Sequence, residues 1–209
     1  MELKDRIKQK ADELYRRYGV KSVTMDEIAS QMGVSKKTIY QCFSDKNELV
    51  DAVFTEMLEN NKTCCQDSRR KAVNAIDEMY LGMEALQEML DNMNPSILHD
   101  IERGHPQTFK RFIEYKYHFL FELMKKNVER GIKEGLYRPE INAELISKVR
   151  LETTVLAFNE EIFPKNQYSL LYIQQEMMQY FLYAMATPKG YKLITKYQKE
   201  RLENNQQKK

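Results

Sequence analysis

The stretch TMDEIASQMGVSKKTIYQCF, residues 24–43, decides the fold of the first part of the chain. Thr24 and Glu27 have the spacing of a capping box, in which both side chains satisfy backbone N–H groups at the start of a helix. Gly33 supplies a tight turn, and Ser35 is suited to cap a second short helix. The pattern therefore predicts two short helices joined at an angle, a helix-turn-helix.

The flanking residues predict a third helix and a small N-terminal domain. From Leu3 to Tyr18 apolar residues, Tyr18 included, recur on one helix face, and Gly19 follows where a helix cap is expected. After the helix-turn-helix, Ser44 is expected to cap a longer helix that leads into the rest of the chain. We therefore expect a three-helix head over residues 1–50.

Composition and periodicity predict an all-α protein of about nine to ten helices. The 209 residues include only seven glycines and five prolines, and apolar residues recur at helical spacing along the whole chain. Residues 51–203 are expected to form a larger helical body, with a break in the polar stretch 60–70 and helices at 142–163 and 169–186. Residues 204–209 are polar enough to predict a disordered tail.

Charge and cysteine content narrow the class of protein. The formal net charge is only +2, so any nucleic-acid surface must be local. The charged start and the absence of a long apolar run predict a cytoplasmic protein with no membrane segment. Cys42 and the adjacent pair Cys64 and Cys65 suit reduced thiols better than disulfides, and a redox role for the pair stays open.

The cations around the second short helix indicate an anionic partner. Lys36 and Lys37 occupy its first turn and Lys46 the first turn of the next helix, where the helix dipole disfavours a cation by roughly 0.3–1 kcal/mol. Phosphate groups are the anions expected there, although long lysines also extend readily into water. Gln41 is suited to pair with adenine, and Tyr40 is equally consistent with a phosphate contact and with packing.

The segments TMDEIA (24–29), GVSKKTIY (33–40) and FSDK (43–46), followed by Leu49, resemble the DNA-binding domain of the TetR family of transcriptional regulators. The resemblance covers about residues 5–55. It implies a sequence-specific DNA-binding regulator, most simply a ligand-responsive homodimeric repressor whose C-terminal body binds a small-molecule effector and dimerises. Activation of transcription stays open, and so do the effector, the operator sequence and the regulated genes.

The same resemblance implies roles for single residues of the head. Phosphate contacts are implied for Thr24, Ser35, Tyr40 and Lys46. Groove contacts are implied for Lys36, Lys37, Thr38 and Gln41. Lys37 departs from the family pattern, which often has glycine there, so we expect altered base preference or altered approach of the helix. A two-fold dimer predicts a near-palindromic operator of double-stranded DNA.

The body offers candidates for a pocket and for a dimer interface. Methionines mixed with aromatic residues suit a pliable pocket, although core packing is the favoured explanation for any one of them. The candidate pocket residues are Met79, Tyr80, Met83, Phe109, Phe112, Phe119, Met124 and Phe158. The candidate interface residues, carried by the eighth and ninth predicted helices, are Val149, Thr153, Leu156, Ile173, Met177, Tyr180, Phe181 and Ala184.

Catalytic and metal-binding classes have little support in the sequence. His99, His105 and His118 lack the spacing of four residues that a helical zinc site uses, and neither a catalytic triad order nor a glycine-rich phosphate loop occurs. We therefore expect no enzyme activity, cofactor or metal. The main alternative to a DNA-binding regulator is a helical ligand- or protein-binding adaptor that no longer contacts DNA.

Overall fold

The computed structural model describes residues 2–90 and 93–207, and over these its regular secondary structure is helical apart from one antiparallel bridge between Tyr137 and Ala186. Its helices are α1 (Leu3–Tyr18), α2 (Met25–Met32), α3 (Lys36–Cys42), α4 (Lys46–Lys71), α5 (Ala75–Leu90), α6 (Ile97–Gly104), α7 (Pro106–Glu114), α8 (Phe121–Lys133), α9 (Ala143–Leu156), α10 (Leu170–Met185) and α11 (Pro188–Gln207). A π-helical segment, Tyr115–Leu120, joins α7 to α8 into one long helix. The all-α fold class is confirmed.

The head consists of α1, α2 and α3 packed around one apolar core. Its fully buried side chains include Ile7, Tyr15, Ile28, Ile39 and Phe43. The bounds predicted for α1 are confirmed, but Tyr18 is 44% exposed and was wrongly expected to face inward. It belongs to the last turn of α1, where its ring lies 5.2 Å from the Arg17 guanidinium instead of in the core.

The start of α4 differs from the prediction. Asp45, not Ser44, is the cap, and its carboxylate accepts the backbone N–H of Glu48 at 2.9 Å. Ser44 instead donates its N–H and its hydroxyl to the Glu48 carboxylate. Ser44 and Asp45 are thus both bonded to Glu48. Asp45 caps the helix because a carboxylate is a stronger acceptor for a helix N–H than the Ser44 hydroxyl.

The predicted break in the stretch 60–70 was wrong, because α4 continues through it. The Thr63 hydroxyl donates to the carbonyl of Glu59, and the Ser68 hydroxyl donates to the carbonyl of Cys64. These polar side chains therefore bond to the preceding turn and leave the helix intact. Ser68 is buried even though the stretch lacks an apolar stripe, so packing and not periodicity sustains this part of α4.

Two helix ends also differ from the prediction. α9 ends at 156 instead of 163, because the Asn159 side chain accepts the N–H groups of residues 161 and 162 and forms a turn. α11 runs through residues 204–207 of the predicted tail. Residues 208 and 209 lie outside the described residues.

The core of the head continues into the body. Leu90, Met93, Ile97 and Ile101, from α5 and α6 and the segment between them, belong to the same apolar cluster as the head residues. The domain boundary that we placed after residue 50 lies within α4. The head is therefore attached to the body by a shared helix and by shared packing.

Candidate DNA interface and internal cavity

The turn between α2 and α3 has the geometry of a helix-turn-helix. The Thr24 hydroxyl accepts the backbone N–H of Glu27 at 3.1 Å, and α2 ends at Gly33 in the left-handed conformation with φ of 66°. The Ser35 hydroxyl accepts the N–H of Thr38 at 3.1 Å and thereby begins α3. Because both helix starts are capped within the head, their relative angle needs no outside contact.

α3 has one buried and one exposed face. Ile39 is fully buried and holds the helix in the core, whereas Lys37 and Gln41, four positions apart, are exposed. Tyr40 is 42% exposed, so its ring is divided between the head and solvent. Thr38 is half-buried, and its hydroxyl lies 2.8 Å from the hydroxyl of its neighbouring cap residue.

Lys36 already has an anionic neighbour in the head. Its ammonium donates to the Asp26 carboxylate of α2 at 2.8 Å and lies 5.9 Å from the centre of the Tyr40 ring. The hydrogen bond to Asp26 raises the pKa of Lys36. An ion pair between exposed side chains contributes little to stability, so a phosphate can compete with Asp26 for this lysine.

The interpretation of Lys46 as an exposed cation was wrong. Its ammonium donates to the backbone carbonyl of Val20 at 2.7 Å, and the side chain is partly buried. Burial lowers the pKa of Lys46, opposed by the Asp100 carboxylate. The helix-dipole argument fails here because a distant carbonyl already accepts from this lysine. A phosphate contact by Lys46 stays a prediction.

The end of α1 is hydrogen-bonded to the body near α6. The backbone N–H of Asn94 donates to the carbonyl of Arg16 at 2.6 Å, and the Asp100 carboxylate accepts the N–H of Lys21 at 2.9 Å. Gly19 makes the close approach possible, since a Cβ at this position, with φ of 81°, would lie 2.9 Å from the Asp100 carboxylate. Sequence patterns did not indicate these contacts.

The body encloses a large apolar cavity between α4, α5, α6, the long helix α7–α8, α9 and α10. It has about 1450 Å³ of space free of protein atoms, counting the space at its mouth. Seven of the twelve methionines line it: Met57, Met79, Met83, Met89, Met93, Met124 and Met178. Flexible, polarizable methionines adapt to ligands of different shape, and a cavity of this kind suits a small molecule.

Five of the eight predicted pocket residues line this cavity: Met79, Met83, Phe112, Met124 and Phe158. The other three lie outside its lining, which corrects our expectation. Tyr80 pairs its hydroxyl with Gln179, Phe119 stacks on the Tyr115 ring, and Phe109 packs against the core cluster shared with the head. Helical spacing marks all of these as apolar positions but does not separate cavity walls from solid core.

Sequence patterns missed a buried cation in the cavity wall. Arg150 on α9 is 4% exposed, and its Nε and Nη1 atoms have no hydrogen-bond partner. Burial lowers the pKa of Arg150 to about 10. Ser147, Leu151 and Thr154 share its inward face at helical spacing. A cation on this inward face of α9 is a sequence signal that points to Arg150 as a functional residue.

The predicted interface residues divide into an exposed and a buried set. The exposed ones are Val149, Leu156, Tyr180 and Ala184, and Thr153 and Met177 are half-buried. Ile173 and Phe181 are 6% and 8% exposed, so their assignment to an interface was wrong. They are on the side of α10 that packs within the chain, and apolar periodicity alone did not separate the two sides of this helix.

Two negative findings apply to residues 2–90 and 93–207. None of the helices there combines the length and the apolar character of a transmembrane segment. Nor do three His, Cys, Asp or Glu side chains come close enough together to hold a metal ion in this part of the chain.

Comparison with known proteins points to bacterial regulators. Residues 7–53 match the family model described as "Bacterial regulatory proteins, tetR family". The HTH-type transcriptional regulator YhgD of Bacillus subtilis is 26% identical over 148 residues, which are 70% of this chain and 77% of YhgD.

Solved structures share the whole fold. A TetR-family regulator from Marinobacter aquaeolei aligns over 96% of this chain and 98% of its own, with a TM-score of 0.76 and 14% identity. A regulator from Saccharomonospora viridis, solved in complex with choline, aligns over 88% and 97% with a TM-score of 0.68 and 15% identity. The similarity therefore extends beyond the head to the arrangement of helices in the body.

Proposed function

We propose that this chain, a DNA-binding transcriptional regulator of the TetR family, is a homodimeric repressor released from its operator by a small molecule. The observation that carries the proposal is the pairing of a rigid helix-turn-helix with a large cavity whose walls include helices attached to the head. In this proposal the helix-turn-helix binds DNA and the cavity binds the small molecule.

The exposed face of α3 is suited to enter the major groove of DNA. Lys37 and Gln41 project from one side of the helix, with Lys36 on its first turn, and a glutamine can pair bidentately with adenine. The exposed hydroxyl side chains of Thr24 and Ser35 lie at the starts of α2 and α3, and Tyr40 is half in solvent. These are suitable positions for phosphate contacts that fix the register of the helix on DNA.

An exposed apolar surface on α9 and α10 supports a dimer. Val149 and Leu156 on α9 are 47% and 40% exposed, and Tyr172 and Tyr180 on α10 are 51% and 67% exposed. Large apolar side chains concentrated on two adjacent helices are typical of protein interfaces. A two-fold axis through this surface would place one α3 on each half of a near-palindromic operator.

Two helices connect the cavity to the head. Phe54 and Met57 of α4 line the cavity, and the same helix carries Lys46, which is bonded to the head through the Val20 carbonyl. Ile97 of α6 also lines the cavity, and that helix carries Asp100, which is bonded to the turn after α1. A ligand that favours another position of α4 or α6 therefore shifts the head and weakens DNA binding.

Selection of bound sequences from random double-stranded DNA by the full-length protein tests the DNA-binding part of the proposal. We expect a near-palindrome with half-sites about one helical turn, roughly 34–36 Å, or somewhat more apart. Gln41→Ala should change the preferred base at one position of each half-site, whereas Tyr40→Phe should weaken all sequences alike. Lys192→Ala, an exposed lysine in α11, serves as a control and should change neither.

If no sequence is enriched, the hypothesis of a ligand- or protein-binding adaptor replaces that of a DNA-binding regulator.

Light scattering tests the dimer in the same preparation. Tyr180→Asp should give monomers, because it buries a charge in the proposed interface, while Tyr191→Asp, at another exposed tyrosine on α11, should remain dimeric. Dimers of Tyr180→Asp at the same concentration would contradict the proposed surface.

A further inference from the structure

Arg150 is a buried cation in an apolar cavity. Its side chain is in the wall formed by α9, and the guanidinium carbon lies 5.7 Å from the centre of the Phe181 ring. Two of its three nitrogens are buried without an acceptor. Burying a charge without a partner is strongly unfavourable, and the arrangement suits a site that an anion completes.

The other charged groups of the wall are already neutralised. Glu78 accepts from Arg130 at 3.1 Å, and Lys116 donates to Glu152 at 2.7 Å. Burial raises the pKa of the Cys65 thiol to about 11, so this side chain is neutral at pH 7. Within the described part of the chain, the cavity therefore carries one positive charge that nothing balances.

That charge persists at neutral pH and has apolar surroundings. Although burial lowers the pKa of Arg150, its value of about 10 keeps the guanidinium protonated. Most of the remaining wall consists of methionine, leucine and phenylalanine side chains, of which α5 contributes the largest share. A ligand that satisfies both features has one anionic end and an apolar body.

We propose that the cavity binds an amphipathic monocarboxylate, an aliphatic chain ending in one carboxylate, and that Arg150 binds the carboxylate. The inference rests on the proposed function, since this molecule would be the effector. The planar guanidinium matches a carboxylate through two parallel hydrogen bonds. A phosphate ester or a coenzyme A thioester brings additional negative charge, for which the described wall has no second unpaired cation.

Calorimetric titration of the full-length protein, stripped of bound lipid on a hydrophobic resin, tests this assignment with dodecanoate and dodecan-1-ol. We expect dodecanoate to bind the wild type at least about tenfold more tightly than the alcohol, because only the carboxylate pairs with the guanidinium. Arg150→Met should weaken dodecanoate binding at least about tenfold and leave alcohol binding nearly unchanged. Arg150→Lys, which keeps the charge, should retain part of the preference.

Lys116→Met is the matched control, because it removes another buried cation of the same cavity that is already paired with Glu152. It should leave the preference for dodecanoate over the alcohol intact. Arg150→Met should fold, since it removes an unpaired buried charge, and its melting temperature without ligand should equal or exceed that of the wild type. If it does not fold, the wild-type comparison and Arg150→Lys still decide the question.

Equal affinity of the wild type for dodecanoate and dodecan-1-ol would overturn the proposal. Unchanged dodecanoate binding by Arg150→Met, or tighter binding of dodecanoyl coenzyme A than of dodecanoate, would also overturn it. The titration contains no DNA, so its result is independent of the operator selection. A protein that binds dodecanoate through Arg150 but selects no DNA sequence contradicts the regulator and not the ligand class.

Discussion

The head and the body of this protein are packed in opposite ways. In the head, Ile7, Ile28 and Ile39 are completely buried, and the starts of α2 and α3 are capped by side chains. In the body, a cavity has about 1450 Å³ of space free of protein atoms, its mouth included, and the Nε and Nη1 atoms of Arg150 have no hydrogen-bond partner. A helix that must match the repeat of DNA needs fixed geometry, whereas a ligand site needs open space and polar groups that have no partner within the protein.

The largest effect that separates the two regions comes from removing buried carbon atoms. Ile39→Ala in the head should lower the free energy of unfolding by about 3 kcal/mol, since it leaves a void in close packing. Met83→Ala in the cavity wall should cost clearly less, because this side chain already borders empty space. Urea unfolding of both variants measures the difference, and equal losses would show that the cavity is as tightly packed as the head.

Two helical glycines give a similar contrast inside the body. A Cβ at Gly131 would lie 2.0 Å from the buried Tyr137 ring, whereas a Cβ at Gly82, in the cavity wall, meets no atom within 4 Å. Gly131→Ala should lower the free energy of unfolding by about 2 kcal/mol. Gly82→Ala should raise it by about 1 kcal/mol. The same sign for both variants in thermal unfolding would contradict this description of the cavity wall.

Removing a helix cap in the head should cause a smaller loss of stability. Ser35→Ala removes the acceptor for the N–H of Thr38 and should cost about 1 kcal/mol of stability. Ser35→Asp keeps an acceptor and should retain most of the stability, although its charge should weaken DNA binding. Urea unfolding combined with DNA titration separates the two roles. Full stability of the alanine variant would mean that the cap does not hold α3.

The smallest effect is expected at the junction of head and body. Burial, assisted by Lys46, lowers the pKa of His105 below its usual 6.5, so the unfolded chain binds a proton before the folded chain does. Stability from this histidine should be complete above about pH 6.5 and decline as the pH falls through the lowered pKa. His105→Asn should reduce this decline, and the exposed His99→Asn should not. The free energy of unfolding measured against pH tests this, and identical profiles of the two variants would contradict the role given to His105.

Local sequence signals predicted the head well. Caps and helix-stopping residues marked α1, α2, α3 and α10 to within about a residue, because the hydrogen bonds that begin and end these helices involve near neighbours in the chain. The extension of α4 through residues 60–70 was missed. It depends on bonds from Thr63 and Ser68 to the preceding turn and on tertiary packing, neither of which produces an apolar period.

The functional details that escaped prediction are long-range ones. Lys46 meets the carbonyl of Val20, and Asp100 meets the N–H of Lys21, across 26 and 79 positions of the chain. The position of Arg150 on the inward face of α9 is a sequence signal, but only the assembled fold shows that it lines the cavity without an anion. Sequence periodicity identifies which residues are apolar, but the pairing of buried charges depends on the assembled fold.

In the mechanism that we propose, ligand binding in the body controls the position of the rigid head. Fluorescence anisotropy with the DNA sequence obtained by selection measures this control directly, in the presence and absence of saturating dodecanoate. We expect dodecanoate to raise the Kd of the wild type for this DNA at least about tenfold and to leave the Kd of Arg150→Met nearly unchanged. An unchanged Kd for wild-type protein that has dodecanoate bound would contradict the account.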